Sequence, residues 1–458
     1  MRSFASTLIL LLLSVCARAG AVLDIDFGGG GRTSLVAGVD LSAIATLPMP
    51  NGDVTVVYSI AHLDGVCPDR ACIGMTRLDS HGATVAGGSR VKSAGMNLIR
   101  AAAIDPFGRI VVIGETPSGG IRGLDFGVVR FTADLADDFG FGGDGGVAID
   151  FAAGQGNNDV PLALAFDADG NIVIVGVAQR IELGDSDIGV VRLSQLDGSI
   201  DPAFGKRFVA YNLDGAAADE ASAVAIDSGG RVVIAGMSVD ATKSELRATL
   251  TRLTAQGNFD LSFCASSCNF NPFPSIHAGR RTYFFGSLDG HSDSVSAIAI
   301  DAGDNIVIAG STVTGENELR RSTIARFNAD GQQTREHLDL QTDALSTYQG
   351  LFLDPGTGGF LASGQTGSPA RAQFVQAFDP QLEFVAAFGD CGINGSAFCY
   401  TSGSDASIIS DFGSFPAINL DALGRPLLAT TVRNDGSTFD SVMATRLVSD
   451  RLFADNFD

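Results

Sequence analysis

AIDPFGRIVVIG, residues 103–114, recurs three more times without gaps, as AFDADGNIVIVG (165–176), AIDSGGRVVIAG (225–236) and AIDAGDNIVIAG (299–310). Each copy has an Asp, a turn, a continuous apolar run and a Gly nine residues after the Asp. A turn between two apolar phrases predicts a β-hairpin. Because the second phrase is apolar without alternation, we expect that strand to be buried on both faces.

Three divergent copies extend the series, at TLPMPNGDVTVVY (46–58), FLDPGTGGFLASG (352–364) and NLDALGRPLLAT (419–430). The anchor position of the seven copies is occupied by Met49, Asp105, Asp167, Asp227, Asp301, Asp354 and Asp421. A period of about sixty residues, filled with strand-like phrases, predicts about four strands per unit. The sequence therefore predicts an all-β fold, a single β-propeller of seven four-stranded blades.

A second phrase lies at a fixed distance from the first. Asp105, Asp167, Asp227, Asp301 and Asp421 are each followed, at a constant spacing, by Arg130, Arg192, Arg252, Arg326 and Arg446. Because the pairs recur copy by copy, we interpret them as structural: each Asp caps a hairpin turn, and each Arg pairs with a carboxylate between blades. The alternative is a ring of arginines that binds an anion.

A third phrase, such as DPAFG (201–205), ends most units and also opens the chain as LDIDFGGGG (23–31), followed by RTSLV (32–36). The last unit lacks this phrase after its ATRL segment. We therefore expect the amino-terminal strand to complete the last blade, which would close the ring and remove the exposed sheet edges.

Residues 1–19 have the order of a secretory signal peptide: Arg2, the apolar run LILLLLSV (8–15), and Ala17 and Ala19 before the expected cleavage. A lipoprotein signal at Cys16 is the alternative. We expect residues 20–450 to form the propeller, and 451–458 to be a short carboxy-terminal tail. The protein is expected to be secreted, periplasmic or on the cell surface, with no membrane-spanning segment after cleavage.

Six cysteines follow the leader and fall into three close pairs, which are Cys67/Cys72, Cys264/Cys268 and Cys391/Cys399. An even count and local pairing in an exported chain favour three short disulfides. Free thiols and a metal site are the alternatives, and the metal site is the weaker one because none of the five His completes a zinc motif.

The combined motif, LDxxFGxxG followed by AxAxDxxGxIVVxG and a strand ending in R-[LF]-x-x-x-G, resembles the delta-60 repeat β-propeller family. The resemblance extends from residue 23 to about 450. It implies a bacterial exported or cell-surface repeat protein, and it brings no catalytic residues. The final residues, DRLFADNFD, also resemble a short tail of exported gammaproteobacterial proteins, although Asn456 and Asp458 depart from that pattern.

The chain has 30 Lys and Arg against 52 Asp and Glu, a net charge of −22, which excludes a nucleic-acid or anionic-membrane binder that works through a basic surface. The acidic turn Asp167-Ala168-Asp169-Gly170-Asn171 places oxygens at alternate positions, as a calcium loop does, but no Glu follows at the twelfth position. Turn formation is the simpler interpretation. We expect no cofactor, with calcium as the alternative.

No catalytic motif stands out in the sequence. We therefore predict a non-enzymatic, monomeric interaction module for an unknown protein or surface ligand. The alternatives are a secreted hydrolase or lyase with an axial, calcium-assisted site, and a structural adhesin. The insert between Arg252 and Asp301 departs most from the repeat. We interpret it either as a functional loop or as a pinned surface loop that binds no ligand.

Overall fold

The computed structural model describes residues 22–35, 39–61, 65–67, 70–118, 123–151, 157–180, 184–211, 218–240, 245–265, 279–285, 292–314, 319–338, 346–366, 372–385, 397–400, 406–408, 418–421, 423–434 and 440–448. Within them the chain is all β. No helix in this part has the length and apolarity needed to span a bilayer. The expected leader and carboxy-terminal tail lie outside the described residues.

The first three blades are antiparallel sheets of four strands each. Blade 1 contains β3 (Leu41–Pro48), β4 (Val54–Ile60), β5 (Cys72–Leu78) and β6 (Thr84–Ser93); blade 2 contains β7 (Leu98–Ile104), β8 (Ile110–Pro117), β9 (Leu124–Phe131) and β10 (Gly146–Ile149); blade 3 contains β11 (Val160–Phe166), β12 (Ile172–Arg180), β13 (Asp185–Leu193) and β14 (Lys206–Val209).

The next three blades have the same order. Blade 4 contains β15 (Asp219–Ile226), β16 (Val232–Asp240), β17 (Glu245–Leu253) and β18 (Arg280–Tyr283); blade 5 contains β19 (Asp293–Ile300), β20 (Ile306–Thr314), β21 (Leu319–Phe327) and β22 (Gln333–Leu338); blade 6 contains β23 (Ser346–Leu353), β24 (Phe360–Thr366), β25 (Ala372–Phe378) and β26 (Ala397–Tyr400).

Blade 7 joins the two ends of the chain. It contains β27 (Ala406–Ile408), β28 (Ile418–Leu420), β29 (Pro426–Asn434) and β30 (Ser441–Val448), together with β1 (Val22–Leu23) and β2 (Arg32–Leu35). Strand β2 pairs with β30 from Arg32 opposite Thr445 to Leu35 opposite Val442. The seven-bladed propeller and its closure by the amino-terminal strand are thus confirmed.

The first strands of the blades pack against one another around the axis, in the order β3, β7, β11, β15, β19, β23 and β28. We call these the inner strands. The start face is the face of the ring at which the inner strands begin, and the turn face is the one at which they end. The second strands, such as β8 and β12, are buried along nearly their whole length between neighbouring blades, as their apolar runs predict.

Buried arginines connect successive blades at the turn face. In blade 2, the Arg130 Nε–H donates to the Asp138 carboxylate over 2.7 Å, and the guanidinium lies 4.4 Å from the centre of the Phe141 ring. The same guanidinium donates to the backbone oxygens of Gln195 and Leu196 in blade 3. Each such arginine therefore contacts both the third phrase of its own repeat and the turn of the next blade.

The unit of Asp, Phe and Arg recurs around the ring. Its other described copies are Asp201, Phe204 and Arg192; Asp260, Phe263 and Arg252; and Asp24, Phe27 and Arg446. Their guanidinium groups donate to the backbone oxygens of Ala255, Ala329 and Ser80 in the following blade. Arg77 and Arg326 make the corresponding inter-blade bonds to Ala133 and Pro380.

This geometry differs from the expected pairing between blades. In the four complete units the close carboxylate belongs to the same blade as the arginine, and the neighbouring blade supplies carbonyl oxygens. Among the junction arginines in the described part of the chain, Arg326 alone makes its close ion pair with the hairpin residue, Asp301. Blade 6 has the buried Ala377 at the corresponding position, so its junction with blade 7 lacks the arginine.

The phenylalanine of the unit explains the glycine at the end of the R-[LF]-x-x-x-G phrase. Gly198, which follows its phrase with one extra residue, has a φ of +77°, and a Cβ there would lie 2.7 Å from the Phe141 ring of the preceding blade. Gly331 has a φ of +83° and the same relation to Phe263, at 2.6 Å. Both the backbone conformation and the close ring therefore exclude larger residues.

We expect Arg252→Ala to lower the free energy of unfolding by about 3 kcal/mol, because it removes the close, buried cation of Asp260 and leaves that carboxylate with Arg231 at 3.9 Å. Chemical denaturation monitored by circular dichroism measures the change. The control is Arg335→Ala, which removes an exposed ion pair with Glu383 and should cost less than about 1 kcal/mol. Equal losses in the two variants would contradict the structural role of the junction arginines.

Candidate functional site

The recurrent aspartates of the hairpins lie at the turn face and cap turns. Asp105 Oδ1 accepts the backbone N–H groups of Phe107 and Arg109 over 2.9 and 2.8 Å. Asp227, Asp301 and Asp421 each accept two backbone N–H groups of their turns in the same way. The junction arginines donate to carboxylates and carbonyls, so these groups are engaged within the protein.

Asp167, the residue of the calcium alternative, is also a turn cap. Its Oδ1 accepts the N–H groups of Asp169 and Asn171 over 3.0 and 2.8 Å, and its Oδ2 accepts the Asn171 side-chain amide over 3.0 Å. The side chain of Asp169 is exposed. Calcium binding at this turn stays a prediction, and the hydrogen bonds of Asp167 are those of a capped hairpin.

Cys67 and Cys72 form a disulfide, with their Cα atoms 5.9 Å apart. Cys264 is disulfide-bonded, and its expected partner Cys268 lies outside the described residues. Cys391 also lies outside them, so the third pair with Cys399 stays a prediction. Much of the insert between Arg252 and Asp301 is likewise not described. Its described part supplies strand β18 of blade 4.

The inner strands carry different side chains at their two ends. The last residue of every inner strand is apolar and partly buried, from Pro48 in β3 to Leu420 in β28. Towards the start face, several inner strands carry polar residues instead, among them Arg100, Glu220, Ser294 and Thr347. Polar groups therefore converge at the start face, and the axis is apolar at the turn face.

A cavity of about 400 Å³ opens at the start face between blades 2, 3 and 4. Its polar lining consists of Arg100, Asn158, Gln179, Ser186 and Glu220, and its apolar lining of Val160, Leu162 and Val177. The repeat pattern gave no signal for this site, because these residues occupy positions at which the copies differ. The signal available in the sequence was Arg100 and Glu220, which occur where the aligned inner strands of the other blades among blades 1 to 6 have neutral residues.

Two carboxylates near this cavity differ in their environment. The Arg100 guanidinium pairs with the buried Glu115, to which its Nε–H donates over 2.9 Å. The Glu220 carboxylate accepts no hydrogen bond from the described residues. Burial raises the pKa of the Glu220 carboxyl, while the charge of Arg100 acts in the opposite direction. The cavity therefore contains a partly buried carboxylate whose hydrogen-bonding capacity is available to a ligand.

Three further carboxylates lie beside the cavity, between blades 2 and 3. One oxygen of each of Asp125, Asp150 and Asp159 lies within 4.8 Å of the others. Asp125 lies at the start of β9, Asp150 follows β10, and Asp159 precedes β11. The group adjoins the cavity, because the backbone N–H of Gln179, which lines the cavity, donates to Asp159 Oδ1 over 3.1 Å.

Burial raises the pKa of two of these acids, Asp125 and Asp159. The pKa of Asp159 rises to about 6, chiefly because the carboxyl is buried, although the N–H groups of Phe151 and Gln179 lower it and the charges of Asp150 and Asp125 raise it further. Burial also raises the pKa of Asp125, against the hydroxyl of Ser118 and the charge of Lys206, with Asp150 adding to the rise. The charges of its two neighbours therefore make ionisation of the buried Asp159 less favourable.

The folded chain is a repeat β-propeller. Residues 168–204 and 304–333, in blades 3 and 5, match the family described as a domain of unknown function (DUF5122) beta-propeller. The two segments cover less than half of the chain, and the match supports a β-propeller repeat family. The narrower assignment to delta-60 repeats stays a prediction. No curated protein matches the chain in sequence.

Solved structures with a similar fold include several enzymes. A gluconolactonase from Xanthomonas campestris is 14% identical, with 89% of this chain and 87% of that chain covered and a TM-score of 0.35. The α-L-arabinofuranosidase Arb93A from Fusarium graminearum is 10% identical, covering 77% and 93%, with a TM-score of 0.44. A Penicillium chrysogenum α-L-arabinanase is 12% identical, covering 76% and 99%, with a TM-score of 0.45. Likeness at this level carries no argument about activity.

Without divalent cations, Asp125→Asn is expected to stabilise the protein at neutral pH. A carboxyl whose folded pKa is raised from 3.8 to about 6, as for Asp159, lowers stability progressively between those pH values, and the full loss remains at higher pH. Removing the neighbouring charge of Asp125 relieves part of this loss, while the part caused by burial remains. The melting temperature of the variant in chelator should therefore equal that of the original protein near pH 4 and exceed it at pH 7.

The control is Asp169→Asn, which removes an exposed acid at the turn face and should show no such pH-dependent difference. An Asp125→Asn protein that melts at or below the temperature of the original protein at pH 7 would contradict the repulsion between the three acids.

Proposed function

We propose that the protein is an exported, non-enzymatic interaction module that binds its ligand in the start-face cavity. The observation that carries this proposal is the Glu220 carboxylate, which is partly buried, faces a cavity of about 400 Å³ and makes no hydrogen bond within the described residues. Because a buried carboxylate without partners is unfavourable, a ligand that supplies donors gains more there than at the exposed acids of the surface.

The charges around the cavity define the ligand class. Arg100 is paired with Glu115, so Glu220 lacks a close cation of its own within the described residues. The net charge of −22 also attracts positively charged partners over longer distances. The ligand we propose is therefore a cationic group, such as an Arg or Lys side chain of a partner polypeptide, whose apolar stem contacts Val160, Leu162 and Val177.

Binding is favoured over hydrolysis by the composition of the cavity. Paired carboxylates flanking one bond are the usual requirement of a glycosidase. Among the described residues that line the cavity, Glu220 is the one carboxylate. Export is supported by the signal-like residues 1–19 and by the Cys67–Cys72 disulfide, since disulfides persist in oxidising compartments.

The test compares two pentapeptides whose four outer residues are neutral. One has arginine at the centre, and the other has citrulline there, which has the same shape without the charge. We expect the arginine peptide to bind more tightly to the mature protein in thermophoresis. Glu220→Gln should reduce that preference about tenfold, as expected for a charge-assisted hydrogen bond worth roughly 1.5–3 kcal/mol. The control is Asp169→Asn, which also removes one acid, but at the turn face, and should leave the preference for the arginine peptide unchanged.

Two results would contradict the proposal. In one, the arginine and citrulline peptides bind equally well, or the preference survives in Glu220→Gln. In the other, a chromogenic glycoside or a lactone is turned over by the protein and not by Glu220→Gln, which would favour the hydrolase alternative.

A further inference from the structure

The junction between blades 2 and 3 differs in its side chains from the equivalent junctions between blades 3 and 4 and between blades 4 and 5. The strand registers place Asp125, Asp187 and Arg247 at one equivalent position of blades 2, 3 and 4. Asp159, Asp219 and Asp293 are a second equivalent set, because each accepts the N–H of an aromatic residue eight positions earlier. These sets provide an internal control for the acidic group.

The residue that follows the fourth strand of the blade completes each junction. It is Asp150 in blade 2, Ala210 in blade 3 and Phe284 in blade 4. The junction between blades 2 and 3 therefore combines three acids. The next junction combines Asp187, Ala210 and Asp219. The one after it combines Arg247, Phe284 and Asp293.

The two later junctions contain an arginine beside their acids. Between blades 3 and 4, the Arg180 guanidinium donates to Asp187 over 2.8 Å. Between blades 4 and 5, Arg247 lies 3.8 Å from the centre of the Phe284 ring. Burial raises the pKa of Asp293 to about 7, and the charge of Arg247 acts against that rise. A side-chain cation thus accompanies the equivalent buried acids in both places.

Between blades 2 and 3 the position of Arg180 is occupied by Ser118, whose hydroxyl donates to Asp125 Oδ1 over 2.6 Å. Among the described residues, Lys206 supplies the positive charge here. Its Nζ donates to the backbone oxygens of Asp150 and Phe151, over 2.5 and 3.4 Å. One ammonium therefore lies beside three carboxylates, and its bonds go to carbonyl oxygens.

A second observation points to a ligand at the same place. Asn157 is only 4% exposed, and neither its Nδ2 nor its Oδ1 has a hydrogen-bond partner within the described residues. The chain around it is extended: the backbone N–H of Leu124 donates to the Asn157 carbonyl oxygen over 2.8 Å, and that of Asp159 donates to the Leu124 carbonyl oxygen over 2.7 Å.

This parallel bridge fixes the direction of the Asn157 side chain. Residues 157 and 159 lie two apart in an extended segment, so their side chains project to the same side. Asp125 lies beside Asp159 across the bridge and projects to that side too. The buried amide therefore faces the side of the strands on which the carboxylates meet.

We propose that Asp125, Asp150 and Asp159, with the side-chain oxygen of Asn157, form a calcium site that takes the place of the arginine found at the next two junctions. Calcium prefers carboxylate and amide oxygens, and it accepts six to eight of them in flexible geometry. The two Asp159 oxygens accept backbone N–H groups and keep further lone pairs for the ion. The site is distinct from the acidic hairpin at Asp167.

The test uses the full mature chain, stripped with chelator and titrated with calcium chloride by calorimetry, with thermal unfolding in parallel. We expect one ion per chain at this site. The melting temperature should rise by about 3 °C once calcium exceeds its Kd a hundredfold. Because calcium binds the native state, the rise should follow the occupancy of the site.

Two variants separate the site from the other acids. Asp150→Ala reproduces the Ala210 of the next junction and should remove the ion while leaving the chelated protein folded. Asp125→Asn should also abolish binding. Asp169→Asn is the matched control and should bind calcium as the original protein does.

The proposal is overturned if the original protein neither binds calcium nor melts higher with it, or if Asp150→Ala and Asp125→Asn bind as tightly as the original. The peptide experiment with Glu220→Gln is done in chelator, without calcium. A negative peptide result would therefore leave the calcium proposal standing, and a negative calcium result would leave the peptide proposal standing.

Discussion

The buried arginine at the turn face is the interaction on which the ring depends. A blade of four strands cannot bury both of its faces alone, and it needs a neighbour on each side. The arginine fixes that neighbour, because its planar group binds a carboxylate of its own blade while it donates to carbonyls of the next. Within the described residues such bonds span six of the seven junctions, and the bond of Arg446 to Ser80 joins blade 7 to blade 1.

Repetition made the fold predictable. The Asp, the turn and the buried run specify a hairpin locally, and their recurrence specifies the ring and its closure by residues 32–35. The partner of the arginine was misjudged for a physical reason. The hairpin Asp and the arginine have a constant spacing because both lie at the turn face, and the spacing does not make them partners. The carboxylate that the arginine binds closely is in the third phrase of the repeat, as in Asp138 and Asp260.

The candidate sites were not predictable from the same pattern, because they occur where the copies differ. Glu220 and Arg100 occur where the aligned inner strands have neutral residues, and Asp150 replaces the Ala210 and Phe284 of later blades. A sequence alone does not reveal that Asp125 and Asp159, which belong to different repeats, meet across a blade junction. Gln179 connects the two places, since its backbone binds Asp159 and it also lines the cavity.

The most direct test of the junction arginine is a double-mutant cycle on Arg446 and Asp24, whose side chains lie 2.7 Å apart and join the last strand to the amino-terminal one. Free energies of unfolding are measured for Arg446→Ala, Asp24→Asn and the double variant. The account predicts a coupling energy of about 1–3 kcal/mol, as for residues in direct contact. Losses that add to within about 0.5 kcal/mol would contradict it, because independent sites behave that way.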